Sequence, residues 1–380
     1  MKRRVVITTG TRADYGFLRP IIRKILDNKK FELFLVVTGT HLSKKYGMTI
    51  NEIKKDDFKI KKQIKMIPND DSLYSMSIAL GKGIIEFSSF FKKIKPDINL
   101  ILGDRDEMLA SAVAAYHMGI PNAHIQGGDT SGGLDEYNRH AITKISNIHF
   151  AGSKKSMNRI IKMGENPKNV FLTGSTSIDE IVSGKISEKK KLEKKYGIKF
   201  SEKMILLVQH PDTIHIEKSE KQIQKILNAV VNLRQNTIAI APNSDAGGEK
   251  IFQVLLKYSK KYDFINVFPN LPRSDYLGFL KNCSLLIGNS SSGMIESTYF
   301  QTPVINIGKR QQNREHGNHV KSIDGNTIKS IQNNILKNLK SKKKFKITKI
   351  YGDGNASSKI VKILEKIQLN KDLISKSISY

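Results

Sequence analysis

The chain is expected to be an α/β protein built from two Rossmann-like, doubly wound domains that face each other across a cleft. Three observations predict this. Short runs of Val, Ile and Leu alternate with stretches of helical periodicity, the pattern of parallel strands covered on both faces. The alternation begins afresh near the middle of the chain. The length, 380 residues, exceeds one ordinary core and suits two domains.

The elements follow in order. Val5-Val6-Ile7-Thr8 is a buried strand and Gly10-Thr11-Arg12 its turn. Phe17 to Leu26 places Phe17, Leu18, Ile21, Ile22, Ile25 and Leu26 on one broad helical face. Phe31 to Thr38 is a strand, and Leu73 to Lys93 is a long helix that stops before Pro96. Ile98 to Leu102 is a strand ending at Gly103-Asp104. Leu109 to Met118 is a helix, broken by Gly119-Ile120-Pro121, and Asn122 to Ile125 is a strand. His149 to Ala151 and Val170 to Leu172 are two more. The second half gives strands at Met204 to Gln209, Thr237 to Ala241, Phe264 to Phe268, Leu285 to Ile287 and Pro303 to Ile307. Helices run from Ser219 to Arg234, Glu249 to Tyr262 and Tyr276 to Lys281, and a further one follows Gly293. A late helix spans Ser357 to Ile367, after the Gly-rich Tyr351 to Gly354. The first domain is therefore expected over 1–175, with a terminal helix of about 356–380 packing back on it. The second is expected over 176–355, the boundary lying near Gly174 to Gly184. Ligands of such sheets bind beyond the carboxyl ends of the strands, so the cleft between the two sheets is the expected site.

Composition narrows the function classes. Apolar residues make up 39% and charged residues 26% of the chain, and no apolar run approaches the roughly 20 residues of a membrane span. The basic Met1-Lys2-Arg3-Arg4 leads into an apolar run too short for a signal peptide, so it is taken as the start of the first strand. The single cysteine, Cys283, fits a reducing compartment and a small buried hydrophobe. The expectation is a cytoplasmic protein without a membrane partner. The net charge of +29 usually points to nucleic acid. Here the lysines are spread along the chain, without an RNA-binding signature or zinc spacing. The densest runs, Lys189 to Lys195 and Lys340 to Lys346, fall between predicted elements. They are assigned to solvated surface, with no specific nucleic-acid partner, while the positive field favours an anionic nucleotide.

The strand ends carry the polar residues. Thr9 to Gly16 follows the first strand, and its Arg12 suits a phosphate. Four adjacent charges, Asp104-Arg105-Asp106-Glu107, follow a buried strand, where some must face the cleft, although Asp106 and Glu107 also suit a helix cap. From His124 to His140 the chain packs glycines, carboxylates and histidines more densely than a surface loop does. It includes Gln126, Asp129 and Asp135, and two carboxylates in one cleft can divide into acid and base. In the second half His210, Asn243 and the run Gly288 to Gly293 sit at strand ends. Ser290 and Ser291 offer hydroxyls and backbone N–H groups to an anion, Glu296 lies one turn on, and Arg310 adds charge. There is no P-loop, no Gly-x-Gly-x-x-Gly in the first turn, and no HExxH or paired CxxC; no metal is expected.

Six segments together, Gly10 to Gly16, Gly103-Asp104-Arg105, His124 to Gly128, Arg139 to Lys144, His210-Pro211 and Gly288 to Ser291, resemble the hydrolysing UDP-N-acetylglucosamine 2-epimerases of the sialic- and legionaminic-acid pathways. They occur in family order over nearly the whole chain. Ala13-Asp14 after Arg12 favours the hydrolysing branch over the non-hydrolysing one, which usually has Pro-Glu there. The resemblance implies the two-domain glycosyltransferase-B architecture and a dimer or tetramer. It implies a nucleotide-sugar substrate, UDP-N-acetylglucosamine or a related UDP- or GDP-diacetamido sugar, and no cofactor. The implied reaction eliminates UDP to a glycal and hydrates it to free N-acetylmannosamine. By motif match Asp104 and Asp135 fall on catalytic carboxylates and His210 on the active-site histidine. Ser290, Ser291 and Arg310 fall on diphosphate contacts, Glu296 on a ribose contact and Asn243 near the nucleotide, with Arg12 and Arg105 facing substrate. Two positions depart from the pattern. Gln126 stands where some members have a catalytic glutamate, a role assigned here to Asp129, and it points to a different sugar such as a 2,4-diacetamido-6-deoxy hexose. Ile295 stands where the family often has Arg, with Lys309 as the compensating cation. A non-hydrolysing epimerase, a glycosyltransferase of the same fold and a non-catalytic nucleotide-sugar or polyanion binder are the competing readings.

Overall fold

The computed structural model describes residues 2–70, 72–200, 203–341 and 345–379. Its chain divides into two compact units. The first holds the residues up to Thr130, Asp135–Ser183 and the chain from Lys349 onward; the second holds Ser131–Leu134 and Gly184–Thr348.

The first unit is built on seven strands: β1 (Arg3–Thr9), β2 (Phe31–Thr38), β3 (Ile60–Ile64), β4 (Ile98–Leu102), β5 (Asn122–Ile125), β6 (Ile148–Ala151) and β7 (Val170–Leu172). They pair in parallel in the order β3-β2-β1-β4-β5-β6-β7, Val5 standing between Leu33 and Ile98. Strand alternation sends Val5 and Ile7 to one face, into a core shared with Leu18, Ile22 and Ile25 of the helix Arg12–Leu26 and with Ile360, Val361 and Leu364 of the helix Ala356–Lys366. Val6 points to the other face, where Phe34, Phe87 and Phe91 pack. Both faces are thus dry, which is why these strands read as continuous apolar runs.

The second unit has six parallel strands: β8 (Ile205–Val208), β9 (Thr237–Ile240), β10 (Ile265–Phe268), β11 (Leu285–Gly288), β12 (Val304–Ile307) and β13 (Val320–Ile323), ordered β10-β9-β8-β11-β12-β13. Its core joins Ile205 and Leu207 to Ile223, Ile226 and Val230 of the helix Ile216–Asn232 and to Ile331 and Ile335 of the helix Ile328–Lys340. In each sheet the strand order reverses once, between β1 and β4 and between β8 and β11. A ligand crevice is expected beyond the carboxyl ends at these switch points.

Several elements differ from the sequence expectation. The first helix starts at Arg12, not Phe17, because Thr11 and Asp14 form a reciprocal capping box that begins the helix within the expected turn. Residues expected as a polar loop form the helix Leu134–Lys144. The lysine run at 189 lies not between elements but in the helix Lys189–Tyr196, where Leu192 alone is buried. Part of the second run, 342–344, lies outside the described residues. Cys283 is buried, and burial pushes its thiol up to about 12. Among the described residues no helix is long and apolar enough to cross a membrane.

Candidate active site

The expected residues fall into two groups, one on each unit. On the first unit, β4 is followed by Gly103, whose φ of +80° only glycine adopts easily, and the chain turns to present Asp104. The Gly103 carbonyl accepts from His124 Nε2 at 2.8 Å. Burial brings this histidine down to about 3, so its ring is neutral and the turn is held by an uncharged donor. Asp104 accepts from Arg139 Nη2, while Arg139 Nη1 donates to the Gln126 carbonyl at 2.9 Å. Arg139 is only 3% exposed, so its charge is neutralised inside the protein by Asp104. It belongs to the helix Leu134–Lys144, and Asp135, one turn earlier at i−4, lies on the same helix face. The geometry therefore brings Asp104, Arg139, the Gln126 backbone and the helix start bearing Asp135 to the carboxyl ends of β4 and β5.

The neighbouring residues are placed as follows. Arg12 pairs with Glu52, and Arg105 Nε stands 3.8 Å from the Glu107 carboxylate. Glu107 is buried, and a side chain at Gly10 would meet its carboxyl carbon at 3.0 Å. Gln126 is buried with φ of +60°, and its side-chain amide donates to Ser175 Oγ at 2.6 Å. Asp129 is 2% exposed and accepts from Ser156 Oγ, in the first turn of the helix Lys154–Lys162. Asp129 is thus held in an internal contact with that helix. Two buried groups at these strand ends had no part in the expected site. His41, brought down to about 3 by burial and the nearby Arg12 charge, contacts Thr9 Oγ1 at 2.9 Å and Thr49 Oγ1 at 2.7 Å. Arg139 stood only within a family segment, with no partner assigned.

On the second unit, β11 ends at Gly288 with φ of +125°, and a Cβ there would meet the Val208 carbonyl oxygen at 2.0 Å. This close approach lets β8 and β11 release their chains side by side. His210 N–H donates to Asn289 Oδ1 at 2.7 Å, and Asn289 Nδ2 returns a bond to the His210 carbonyl at 2.9 Å. The Asn243 backbone N–H donates to His210 Nδ1 at 3.1 Å. An imidazole that accepts at Nδ1 carries its proton on Nε2, which makes that atom a donor. Arg310 Nη1 reaches the Asn289 carbonyl at 3.3 Å, and Ser290 Oγ accepts from Ser292 N–H at 3.4 Å. His210, Asn243, Asn289 and Arg310 are therefore one hydrogen-bonded group at the β8–β11 switch point. Glu296 is buried against Arg273 and Ser292. The cation beside it is Arg273, while Lys309, expected to compensate for Ile295 near the nucleotide, is exposed. A cavity of about 340 Å³ beside the Arg310 turn is lined by Asn306, Lys309, Asn313, Ser322 and Asp324. Among the described residues no group of three or more His, Cys, Asp or Glu could hold a metal ion.

Comparison with known proteins bears on the family and the fold. The family model described as UDP-N-acetylglucosamine 2-epimerase matches residues 23–365. The chain is 36% identical, over all of itself and all of the relative, to the UDP-N,N'-diacetylbacillosamine 2-epimerase (hydrolyzing) of Legionella pneumophila. It is also 36% identical to the GDP/UDP-N,N'-diacetylbacillosamine 2-epimerase (hydrolyzing) of Campylobacter jejuni, covering 82% of each chain. The UDP-GlcNAc 2-epimerase of Neisseria meningitidis, solved bound to UDP-GlcNAc, superposes with a TM-score of 0.80 at 21% identity, over 96% of this chain and 100% of that one. The last likeness shows the shared glycosyltransferase-B-like fold of two Rossmann-like halves. With a family model spanning most of its length and full-length relatives at this identity, the chain belongs to the UDP-N-acetylglucosamine 2-epimerase family.

Proposed function

We propose that this enzyme is a hydrolysing 2-epimerase acting on a nucleotide-linked diacetamido sugar of the N,N'-diacetylbacillosamine type. UDP is the first choice of nucleotide, and UDP-N-acetylglucosamine is the alternative sugar donor. The Asp104–Arg139 pair, whose arginine stands on the helix that also bears Asp135, is the observation that carries the reaction class. The names of the two relatives at 36% identity support the sugar, and so does Gln126, which stands where some members of the family have a glutamate.

In this reading a carboxylate of the first unit, Asp104 or Asp135, takes the proton from C2 of the sugar. The C1–O bond breaks with its electron pair leaving on the diphosphate, and a C1=C2 double bond forms. Water then adds its oxygen to C1, and a proton reaches C2 on the opposite face, giving the free 2-epimer. The second unit binds the nucleotide. His210 Nε2–H and the Arg310 guanidinium stabilise the departing diphosphate, with Ser290 and Ser291 as further donors. Arg12 and Arg105 orient the substrate. Asp129, tied to Ser156, supports the loop rather than exchanging protons. A homodimer or homotetramer is the proposed assembly and the cytoplasm the proposed compartment.

The test is proton NMR of the purified protein in heavy water, with UDP-N,N'-diacetylbacillosamine and with UDP-N-acetylglucosamine. Free 2-epimer carrying deuterium at C2, together with UDP, is expected, faster from the diacetamido sugar. A UDP-linked epimer instead would make the enzyme non-hydrolysing. Unchanged spectra with both donors, and with the GDP-linked sugar, would remove the proposal.

A further inference from the structure

The helix Leu73–Ile94 buries Phe87, Phe90 and Phe91 on its inner side, and its outer side carries large apolar residues where a surface helix is usually polar. Tyr74, Ile78, Gly81 and Ile85 recur there at helical spacing. Tyr74 is 75% and Ile85 67% exposed, and Ile78 is exposed as well. Gly81 has no reason within the chain. A Cβ built there meets nothing within 4 Å, whereas one at Gly83 would strike Met66 at 2.4 Å. A glycine in an exposed helix interior weakens the helix, and what it permits is the close approach of another backbone. Two serines flanking the stripe are already satisfied. Ser88 and Ser89 donate their hydroxyls to the Ile84 and Ile85 carbonyls of their own helix at 2.8 and 3.0 Å, so covering them leaves neither donor unpaired.

We propose that this face docks on a second copy of the chain, the two helices lying antiparallel about a twofold axis near Gly81. In that arrangement the stripe is its own complement. Ile78 and Ile85 stand on either side of Gly81, so Ile78 of each copy meets Ile85 of the other while the glycines lie at the crossing. The same register carries Asp70, exposed just ahead of the helix, to the exposed Lys92 and Lys93 at the end of the other copy's helix. A parallel pairing would set acid against acid and lysine against lysine, in a chain whose net charge is +29. Opposite charges at the two ends of one apolar stripe thus favour a copy of this chain as the occupant. The inference deepens the assembly part of the reading above and gives it a surface.

The test is sedimentation velocity of the full chain over a wide range of concentration. The unaltered protein is expected to associate at micromolar concentration. Gly81→Leu is expected to weaken association by at least about tenfold, because its side chain has room in the single chain and none at a helix crossing. Ile85→Asp would bury an unpaired carboxylate between the copies and is expected to weaken association by at least about a hundredfold. Both positions are exposed in the single chain, so circular dichroism is expected to show each variant folded. Asp70→Lys is expected to weaken association severalfold, and Asp70→Lys combined with Lys93→Asp to restore it. A tetramer that the first two variants reduce to dimers supports the face equally. An unaltered protein that stays monomeric overturns the inference together with the proposed assembly. Copies that stay associated in Gly81→Leu and Ile85→Asp overturn it alone, since another surface then holds them. A double variant no stronger than Asp70→Lys overturns the antiparallel pairing. If Gly81→Leu or Ile85→Asp does not fold, the charge exchange at Asp70 and Lys93 carries the test. None of these outcomes depends on turnover, so they leave the proposed reaction untouched.

Discussion

Asp104 reaches its place through two side chains that hold it from different directions. The neutral His124 ring holds the Gly103 carbonyl before it, and Arg139 holds its carboxylate. The variant Asp104→Asn keeps the shape and the acceptor oxygen but cannot take up a proton as a carboxylate does. It is expected to lower kcat by at least about a hundredfold, while UDP affinity, which the proposed function assigns to the other unit, stays within about threefold. Stopped-assay turnover and UDP titration check both halves. An Asp104→Asn enzyme with near-normal exchange of the C2 proton would transfer the role to Asp135. The sequence made Asp104, His210 and Asn243 legible because each follows an apolar run at a strand end. It did not make Arg139 or Arg273 legible as partners. Arg139 pairs with an acid far from it in the chain, and Arg273 follows β10, whose end carries no polar cluster to draw notice. The partner of Asp129 was equally hidden, because it is the helix beginning at Lys154 that brings Ser156 onto it.

Glu165 ties three elements of the first unit together. It accepts from Lys144 at the end of the helix Leu134–Lys144 at 2.7 Å, from His149 of β6 at 3.1 Å, and from Lys376 near the chain's end at 2.5 Å. Lys376 also donates to the Lys144 and Ser146 carbonyls, closing the helix that bears Asp135 and Arg139. Burial alone would raise the Glu165 carboxyl, but hydrogen bonds from His149, Lys144 and Lys376 outweigh it and bring it down from 4.5 to about 2. The folded value lies below the unfolded one, so this stability is complete above about pH 4.5 and is lost as pH falls toward 2. His41 and His124 act in the same sense over a higher window. Unfolded chains bind their protons below 6.5, folded ones only near 3, so stability falls with pH between those values. Urea unfolding at stepped pH should show both declines. Glu165→Gln is expected to cost about 1–3 kcal/mol at pH 7 and to flatten only the lower one. An unaltered lower decline would show that Glu165 is not its source. Elements buried on both faces were plain in the sequence. Three of those missed sit at edges or bury few apolar residues: β3 alternates with exposed Lys61, β13 exposes Lys321 and Ser322, and the helix Leu134–Lys144 buries Arg139 among only two other residues.

The whole molecule carries a net charge of +29, borne largely by exposed lysines. Such a field gathers anions without a dedicated site. For a nucleotide-sugar substrate, kcat/KM is expected to fall severalfold between about 50 and 300 mM salt while kcat stays constant, because screening slows encounter and not chemistry. Equal loss in kcat would place the salt effect within the site instead. The two units also divide the chain unevenly in time. Ile360, Val361, Leu364 and Leu373, all buried in the first core beside Leu18 and Ile22, are coded after the whole of the second unit. On the ribosome the leading half therefore waits with an open apolar face while the following half is made and folds. Chaperone demand during synthesis falls on this earlier-made, later-finished core.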